Sequence, residues 1–542
     1  MMTPIRAFGF SCMVLSLLCS CSSPSHAPVP PPPPGPTSPQ SKLVYPGSDG
    51  KLRYIADENG NTIPDFSNCG YHGGGVRIPD VATKLTLEPE TNSKDDTARI
   101  QHAIDDLAKM PRDEHGFRGA LLLKRGQYRI GDEPLKITAS GIVLRGEGDG
   151  EDGTVLIATG KKQRDVVEVK GPSAPKEVTA TRRTINESYV PVGARSFTIN
   201  SAAGYKVGDT VTVRRVGNQD WIHFIKMDQI TVRPNSGGTK QWEPFDLPFN
   251  RVITAIDGNA ITIDAPVTCA IETRWGGGTL AKCDDSGVIE EVGLENLRAV
   301  SEYDPSVTRT TTDDAEKNVP PYAADEQHAM QLVSFDNIKN AWARNLTAQH
   351  FYHGISHSKA GAKWVTIEDC RSIDPVSVLT GGRRYPFNVN GQLILHLRCY
   401  SRDARHSYVV GSHVCGPNAF VDCVSERDHA TSEPHHRWSV GGLYDCVKAN
   451  MAFQDRQYYG SGHGWAGANY VAWNCEGSLI CQQPPTAQNW AIGFVGQKKK
   501  GAFEPRTDGY WESLGQHVVP RSLYMKQLED RLGGEAVKNI EK

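Results

Sequence analysis

Histidine and arginine concentrate in one part of this sequence, between residues 381 and 465. The run at 434–438 reads PHHRW, and the run at 461–465 reads SGHGW. Histidine titrates near neutral pH, so it can take or give a proton during catalysis. Arginine can hold a carboxylate and stabilise the negative charge that develops when a neighbouring carbon loses its proton. Together these residue types favour proton-transfer chemistry on an acidic substrate.

Cysteine residues give the same region a regular period. Short apolar segments end at Cys370, Cys399, Cys423, Cys446 and Cys475, with steps of 29, 24, 23 and 29 residues. A period in the twenties, with strands and no long helices, is typical of a solenoid, because one coil cannot bury its apolar face and must stack on the next. The period predicts an all-β, right-handed parallel β-helix. The five cysteines would form one buried, reduced column, since buried cysteine behaves as a small hydrophobic residue.

Coil stacking predicts which polar residues lie together. Successive coils are about 4.8 Å apart, so residues at one phase of the period form a column. Asn388, His413 and His436 each lie 10 or 11 residues before the next cysteine, and His463 is one position away from that phase. A second column follows the cysteines and consists of His406, His429, Arg405 and Arg427. The sequence therefore predicts an exposed site built from several coils.

An amphipathic segment precedes the solenoid. Residues 95–108 read DDTARIQHAIDDLA, whose apolar residues fall on one face of a helix. Strand-like runs follow at 119–130 (GALLLKRGQYRI) and 135–148 (LKITASGIVLRGEG). This order resembles the opening of the pectate-lyase-like β-helix superfamily, over roughly residues 61–157. The resemblance implies that the helix plugs the N-terminal end of the solenoid, where a sheet edge would otherwise be open.

Four later runs resemble those of bacterial proteins loosely called pectate lyases: DEQHAMQL (325–332), GGRRYPF (381–387), PHHRW and SGHGWAGAN. They do not fix one activity, but the superfamily implies an enzyme that acts on a polysaccharide. The interpretation that fits the residues is a lyase that cleaves a uronic-acid polymer by β-elimination. There a base removes the proton α to the carboxylate and an acid serves the leaving oxygen. Arginine or a bound calcium ion neutralises the carboxylate, and calcium is the one cofactor considered.

The candidate residues follow from this chemistry. We predict His436 as the base or acid, with His463 or His406 as its counterpart. Arg437 and Arg405 are expected to hold the substrate carboxylate. Further substrate contacts are expected from Arg383, Arg384, His413, Asn388, Trp438 and Trp465, the two tryptophans by stacking on sugar rings. The alternative is that PHHRW is a structural loop whose histidines bond to the backbone.

Two other functions stay open. Glycoside hydrolysis needs two carboxylates at a defined separation, and Asp369, Asp422 and Asp445 each precede a cysteine of the column. These aspartates would otherwise form a calcium site or a ladder of turns. Asp403 and Asp428 are further candidates for the pair. The third function is that of a non-catalytic, glycan-binding surface lipoprotein with the same groove.

The N-terminal residues predict export. Residues 1–20 combine a positive charge with an apolar run too short to span a bilayer, as in a signal peptide. The run LCSC at 18–21 resembles a bacterial lipobox, which implies lipid modification of Cys21. The serine that follows implies sorting to the outer membrane, without a transmembrane helix. Residues 21–45 are rich in proline and serine and predict an extended tether. The alternative is a secreted protein cleaved near Ala27.

The rest of the chain divides by pattern. Residues 46–160 are predicted as a cap and first coils, 161–285 as an inserted β-domain, 286–500 as the main solenoid and 501–542 as a helical tail. The net charge of −3 neither favours nor excludes a polyanionic partner. No nucleotide-binding or nucleic-acid-binding motif occurs in the sequence, and we expect a monomer.

Two pairs of cysteines are candidates for disulfide bonds, because export permits them. Cys269 and Cys283 flank a glycine-rich turn, and Cys475 and Cys481 are a weaker pair.

Overall fold

The structure, a computed structural model, describes residues 38–235, 237–310 and 321–541. The predicted signal peptide, the predicted lipid attachment site at Cys21 and most of the predicted tether lie outside these residues. Within the described ranges, no helix is both long and apolar enough to span a bilayer.

Parallel strands form three long sheets around one core, so the chain is a right-handed parallel β-helix, the hand that parallel crossovers take. Sheet A comprises Thr83–Leu87, Gly119–Leu123, Ile142–Gly148, Ile289–Ser301, Ile338–Gln349, Ala362–Glu368, Leu395–Leu397, Cys415–Val421, Ser439–Asp445, Gly467–Ala468, Val471–Trp473, Trp490–Ile492 and Tyr510–Glu512. Sheet B comprises Gly126–Ile130, Thr154–Ala158, the second halves of Ile289–Ser301 and Ile338–Gln349, Arg371–Ile373, Tyr400–Arg402, Val424–Glu426, Lys448–Phe453, Glu476–Cys481 and Val495–Lys498. Sheet C comprises Leu135–Ile137, Asp165–Lys170, Gln331–Asp336, Gly354–Ser358, Phe387–Val389, Tyr408–Val410 and Glu433–Pro434.

The predicted capping helix is confirmed. It runs from Thr97 to Lys109 and buries Ile100, Ala103, Ile104 and Leu107 against the first coils. Burying these side chains removes apolar surface from water and covers the end of the core.

The predicted cysteine column is right for four members and wrong for Cys446. The inward column contains Cys370, Cys399, Cys423 and Cys475. In the remaining coil, strand Lys448–Phe453 starts one residue later, so that Val447 takes the inward place. Cys446 moves to the preceding turn, where its backbone is left-handed with φ of 55°. A shift of one residue in a strand reverses the direction of the side chain, which explains the error.

The turns between sheets A and B form a ladder of left-handed residues. Its members are Asp369, Arg398, Asp422, Cys446 and Asn474, with φ between 49° and 55°. Asp and Asn adopt this conformation more readily than most residues. A ladder of turns was one of the alternatives predicted for the aspartates, and Asp369 and Asp422 belong to such a ladder. Asp445 does not belong to it, because it ends strand Ser439–Asp445.

An antiparallel domain interrupts the solenoid after its second sheet-C strand, Asp165–Lys170. Its strands are Lys176–Glu177, Arg183–Thr184, Tyr189–Val190, Ser196–Thr198, Thr210–Arg215, Leu247–Asp257, Ala260–Ile263, Ile271–Glu272 and Gly278–Asp284, with one short helix at Gln219–Phe224. The predicted start of the insert at residue 161 is too early, because Asp165–Lys170 belongs to sheet C. The insert packs on the solenoid through one shared core that includes Trp221, Trp438 and Trp465.

Both termini of the described chain pack on sheet A. Helices Leu523–Leu532 and Gly534–Lys538 and the hairpin of Val44–Pro46 with Leu52–Tyr54 share an apolar cluster with its outer face. The predicted helical tail therefore covers a flank of the solenoid. A short separate pair, Thr308–Arg309 with Tyr322–Ala323, contacts the loop before strand Phe387–Val389, where Arg384 donates to Ala323 O and Leu379 N donates to Tyr322 Oη.

The predicted disulfides are absent. Cys269, Cys283, Cys475 and Cys481 are all free thiols. Cys475 and Cys481 lie at either end of one strand region and both face the apolar core, and Cys269 is buried in the core of the insert.

Candidate active site

Sheet C positions the candidate site at its edge, on consecutive coils. Residues 383–385 precede strand Phe387–Val389, residues 405–407 precede Tyr408–Val410, and residues 435–437 follow Glu433–Pro434. In the next coil, residues 456–464 form a hairpin in place of a strand of sheet C. Its ends are joined by hydrogen bonds from Arg456 N to Gly464 O (2.8 Å) and from Gly464 N to Gln457 O (3.0 Å). Four coils thus contribute to one region.

Four imidazole rings meet in this region. The ring centroids of His406 and His435 are 4.8 Å apart, and those of His435 and His463 are 4.9 Å apart. His436 lies 4.9 Å from His463 and 5.3 Å from His435. The structure therefore brings together the three histidines that the sequence selected as catalytic, and it adds His435 between them.

Glu433 holds the inner part of the histidine cluster. Its Oε1 forms an ion pair with Arg456 Nη1 at 2.6 Å and a hydrogen bond with His435 Nδ1 at 3.0 Å. Arg456 Nη1 also donates to the backbone carbonyl oxygen of His435 at 2.6 Å. On the other side of the ring, His435 Nε2 forms a hydrogen bond with Tyr385 Oη at 3.1 Å. The orientation of His435 is thus fixed on both sides.

The outer part of the cluster is incompletely satisfied by protein. Buried atoms without a hydrogen-bond partner among the described residues are His406 Nε2, His436 Nδ1, Arg437 Nε, Arg456 Nε and His463 Nδ1. A buried polar atom left unpaired costs about 1–3 kcal/mol, so such atoms are normally paired with protein, water or a ligand. Five such atoms in one cluster indicate a site for a polar ligand.

Two arginines of the site are hydrogen-bonded only to neutral groups within the described part of the chain. Arg405 donates to Gly381 O at 2.6 Å and to Tyr385 Oη at 3.2 Å, and Arg437 donates to Ser461 Oγ at 3.1 Å. Neither forms an ion pair with a carboxylate within the described part of the chain. By contrast, Arg383 pairs with Glu326 at 2.9 Å. Arg405 and Arg437 therefore give the site an excess of positive charge that suits an anionic ligand.

Burial and positive charge keep the imidazoles neutral. Burial, with help from the Arg437 and Arg456 guanidinium groups, lowers the pKa of His436 to about 4. Burial, followed by the charge of Arg456, lowers the pKa of His463 to about 2. The pKa values of His406 and His435 are also well below their usual value, chiefly because of burial. At neutral pH these rings can accept protons.

Three residues at the site have a left-handed backbone conformation. Arg437 and Trp438 are consecutive residues with φ of 51° each, and His413 has φ of 56°. For residues other than glycine, this conformation costs about 1–3 kcal/mol and persists where the surrounding structure imposes it. It turns the Arg437 side chain toward Ser461 of the hairpin while Trp438 enters the core of the insert.

Three predicted substrate contacts are corrected. Trp438 is 0% exposed and meets Trp221 edge to face at a centroid distance of 5.1 Å, so it cannot stack on a sugar. Trp465 is 5% exposed and packs in the same core, on the wall of a separate pocket of about 730 Å³ that no histidine lines. Arg384 is buried and donates to Ser377 O at 2.7 Å, so its role is structural. Long-range packing of the insert explains the two tryptophans.

The remaining candidates lie at the border of the site. His413 is half-buried and stacks on Phe245 of the insert at 3.9 Å, and burial lowers its pKa to about 4. Asn388 is half-buried in sheet C beside His357 and Val409. Arg383 reaches the opposite border through its pair with Glu326.

A metal ion does not fit the cluster well. His406, Glu433 and His435 place one ligand atom each within 4.8 Å of one another. However, Arg456 Nη1 lies 2.6 Å from the Glu433 oxygen and 2.8 Å from the His435 nitrogen, so a fixed cation already stands there. Calcium requires six to eight oxygen ligands, and this group offers a single carboxylate. The group of His406, Glu433 and His435 therefore does not have the ligands of a calcium site.

Of the five aspartates proposed for hydrolysis, Asp403 pairs with Arg427, and Asp428 accepts hydrogen bonds from Ser407 Oγ at 2.8 Å and Ser425 Oγ at 2.5 Å. The other three lie elsewhere. Asp369 pairs with Arg398 at 2.9 Å and Asp422 pairs with Arg521 at 2.5 Å. Asp445 is buried and accepts hydrogen bonds from Ser522 Oγ at 2.6 Å and Tyr524 N at 2.7 Å. All three face the helical tail, away from the histidine cluster.

Four residues of the cluster were missed or given no role from sequence: Tyr385, Glu433, His435 and Arg456. One signal was available for two of them. Glu433 and His435 are two residues apart in an extended segment, so they share a face. Tyr385 and Arg456 gave no such signal, because only the coil lengths bring them to the cluster.

Comparisons with known proteins add the following. A scan against protein-family models and a search of curated proteins both find no match. Among solved structures, the chain is similar to the tailspike protein gp49 from Pseudomonas phage LKA1, at 13% identity over 74% of this chain and 57% of the tailspike, with a TM-score of 0.45. It is also similar to an alginate lyase from Paenibacillus sp. str. FPU-7, at 7% identity, covering 80% and 99% of the two chains, with a TM-score of 0.36. A polygalacturonase from Erwinia carotovora ssp. carotovora is similar at 12% identity, covering 82% and 98%, with a TM-score of 0.33. The chain's own strand pairing confirms the parallel β-helix that the resemblance to the pectate-lyase-like superfamily predicted.

Proposed function

We propose that the protein is a polysaccharide lyase that cleaves a uronic-acid polymer by β-elimination. One observation carries this proposal: two arginines without a carboxylate partner, Arg405 and Arg437, flank neutral histidines whose buried nitrogens have no partner among the described residues. Such a site suits a ligand that brings both a carboxylate and an acidic proton. The superfamily resemblance of the sequence points to a polysaccharide as that ligand.

The roles follow from position and charge. Arg437 and Arg405 bind the uronate carboxylate and stabilise the enolate-like charge that forms on it. His436 is neutral and half-buried, so it can take the proton from the carbon next to the carboxylate. The electron pair then forms a carbon–carbon double bond and expels the glycosidic oxygen. The His436 imidazolium, an acid with a pKa of about 4, returns the proton to that oxygen.

The other histidines support this step. His463 Nδ1 is free to accept a hydrogen bond from a sugar hydroxyl. His406 is 2% exposed and contacts Thr431 O through Nδ1 at 2.5 Å, so it belongs to the buried support of the cluster. The hydrogen-bonded Tyr385, His435 and Glu433 hold that support in place.

Hydrolysis is the weaker candidate. It needs a pair of carboxylates flanking the bond. Glu433 pairs with Arg456 and Glu326 pairs with Arg383, and Asp428 is bonded to Ser407 and Ser425, so these carboxylates are already engaged by protein groups. A glycan-binding function without chemistry would use the same residues and is the second candidate.

The test is a panel of acidic polysaccharides: polygalacturonate, alginate, hyaluronate and a glucuronan. A lyase produces an unsaturated sugar that absorbs in the ultraviolet, without added metal, and a hydrolase produces reducing ends without that absorbance. Reducing ends alone would overturn the proposal in favour of hydrolysis. Binding without either product would overturn it in favour of a glycan-binding protein.

We also propose that the protein is a monomer tethered to the outer membrane by lipid on Cys21, from the lipobox-like run at 18–21. Mass spectrometry of the N-terminal peptide from membranes tests this, with Cys21→Ser as the variant. Recovery of an unmodified N-terminus near Ala27 in the soluble fraction would contradict it.

A further inference from the structure

Three aromatic side chains form a small cluster at the surface beside the histidines. Tyr458 and Phe503 meet at a centroid distance of 4.8 Å, Tyr459 and Phe503 at 4.7 Å, and the two tyrosines at 5.8 Å. Tyr459 is 39% exposed, and the other two rings are half-buried. We call Tyr458, Tyr459 and Phe503 the aromatic patch. Tyr459 and Phe503 belong to none of the apolar cores of the fold.

The patch and the histidine cluster share one hairpin. The carbonyl oxygen of Tyr459 accepts hydrogen bonds from His463 N at 3.0 Å and from Gly462 N at 3.2 Å. A Cβ atom added at Gly460 would lie 2.1 Å from the imidazole ring of His463. The ring of His463 therefore packs directly under the backbone next to Tyr459. Whatever occupies the site near His463 lies within reach of the patch.

The hairpin is braced on both sides. Arg506 binds Asp455 Oδ2 at 2.8 Å, which fastens the loop that carries Phe503 to the base of the hairpin. From the insert, Trp242 Nε1 donates to Gly462 O at 3.0 Å, and Lys240 N donates to Ser461 O at 3.0 Å. A hairpin backbone held in this way loses little conformational entropy when a ligand binds, which favours affinity.

The coil spacing sets the distance between the patch and the site. Neighbouring coils are about 4.8 Å apart. The hairpin belongs to the coil after the one that carries His436. Phe503 lies in the loop before strand Tyr510–Glu512, two coils after the hairpin, and reaches back to contact both tyrosines. The hairpin that carries Tyr459 is therefore one coil, about 5 Å, beyond His436 toward the C-terminal end. One coil is similar in length to one pyranose unit of a polysaccharide that lies along the solenoid axis.

We propose that the aromatic patch is a sugar-stacking subsite for the polysaccharide, one or two units from the sugar that reacts at His436. The C–H face of a pyranose ring is apolar and packs on an aromatic face. This inference rests on the proposed function for the identity of the polymer, but stacking itself requires only that the cleft binds an acidic glycan. It assigns to Tyr459 the role that the sequence gave to Trp438 and Trp465.

The test compares Tyr459→Ala with Tyr459→Phe. The phenylalanine variant keeps the ring and is the matched control. Phe224→Ala removes another exposed ring, 53% exposed on the helix of the insert, and controls for loss of surface aromatic area. Each variant is assayed on the polymer of the panel that the wild type binds, and on its trisaccharide. Binding is measured by affinity electrophoresis, and turnover is followed where it occurs.

Loss of one stacking contact is expected to weaken polymer binding about 2- to 10-fold in Tyr459→Ala. Trisaccharide binding should change less, and both control variants should equal the wild type. Equal polymer binding by Tyr459→Ala and wild type would overturn the subsite. Wild-type binding that depends on Tyr459 but gives no unsaturated product would instead overturn the lyase proposal and leave the subsite standing.

Discussion

Two sides of the solenoid carry columns of charged and polar residues. Within the described part of the chain, other protein groups supply ion-pair and hydrogen-bond partners for the column beside the helical tail, but only for part of the column at the edge of sheet C. On the side of the helical tail, Asp422 pairs with Arg521, and Asp445 accepts hydrogen bonds from residues at the start of helix Leu523–Leu532. At the edge of sheet C, Arg405 and Arg437 have no carboxylate partner among the described residues, and buried nitrogens of His436 and His463 have no partner there either. Coil stacking produces such columns on every face. What distinguishes a functional column is therefore the polar capacity that the protein leaves unused.

The largest expected effect concerns the histidine cluster at the edge of sheet C. His436→Ala removes the proton acceptor, so kcat/KM on the active polymer should fall by about 10²–10⁴-fold. The thermal unfolding temperature should change little, because the ring is half-buried and its Nδ1 has no partner among the described residues. His102→Ala, which changes an exposed histidine on the capping helix, should be as active as the wild type. A fully active His436→Ala variant would remove this residue from the site.

Substitutions of Arg437 test whether a positive charge without a carboxylate partner is needed for activity. Arg437→Ala should lower kcat/KM by about 10²–10³-fold, because charge stabilisation in the transition state is lost. Arg437→Lys should recover part of this activity, since the charge is kept and the two-pronged geometry is lost. Arg427→Ala, which changes an arginine already paired with Asp403, is the matched control. Equal losses in Arg437→Ala and Arg427→Ala would show that pairing does not separate the two classes.

The pH dependence sharpens the comparison. The base must be unprotonated, so kcat/KM should rise with pH through about 4, the pKa of His436, and should be level near neutrality. An acidic limb near the ordinary histidine value of about 6.5 would contradict the buried, cationic setting of this ring.

The same pKa shift affects stability. Because the folded-state pKa of His436 lies below the unfolded value, the unfolded chain binds more protons between these values, and stability is lost as the pH falls from about 6.5 toward 4. Denaturant unfolding at pH 7 and pH 5 should show a smaller loss in His436→Ala than in the wild type. An equal loss in both would indicate that other groups govern acid stability.

The smallest effect on activity is expected for substitutions on the side that the helical tail covers. Asp445→Ala leaves Ser522 Oγ and Tyr524 N without their buried acceptor, so the free energy of unfolding should fall by about 1–3 kcal/mol. The kcat/KM of the folded variant should equal that of the wild type, because the aspartate faces the tail. A loss of turnover without a loss of stability would reopen the carboxylate-based mechanism.

Much of the fold and part of the site followed from the sequence alone. The period of the cysteines gave the solenoid, and the apolar pattern of residues 95–108 gave the capping helix. The same period placed His436 near His463, since coil stacking converts distance along the chain into neighbours about 5 Å apart. It placed His406 in a second column, and the structure brings the two columns together at His435.

Only the tertiary structure decided which side chains meet at the candidate site. A slip of one residue moved Cys446 from the core to a turn, and the period could not reveal it because strand register is set by contacts with the coils above and below. The insert buried Trp438 and Trp465, and the hairpin presented Tyr459 instead, because burial depends on segments more than 200 residues apart in the chain. The lengths of the coils likewise bring Arg456 to Glu433, while they leave Arg405 bonded to Gly381 O and without a carboxylate partner among the described residues. A repeating sequence determines how its coils stack, while the irregular segments between the repeats decide which polar groups are satisfied and which remain for a ligand.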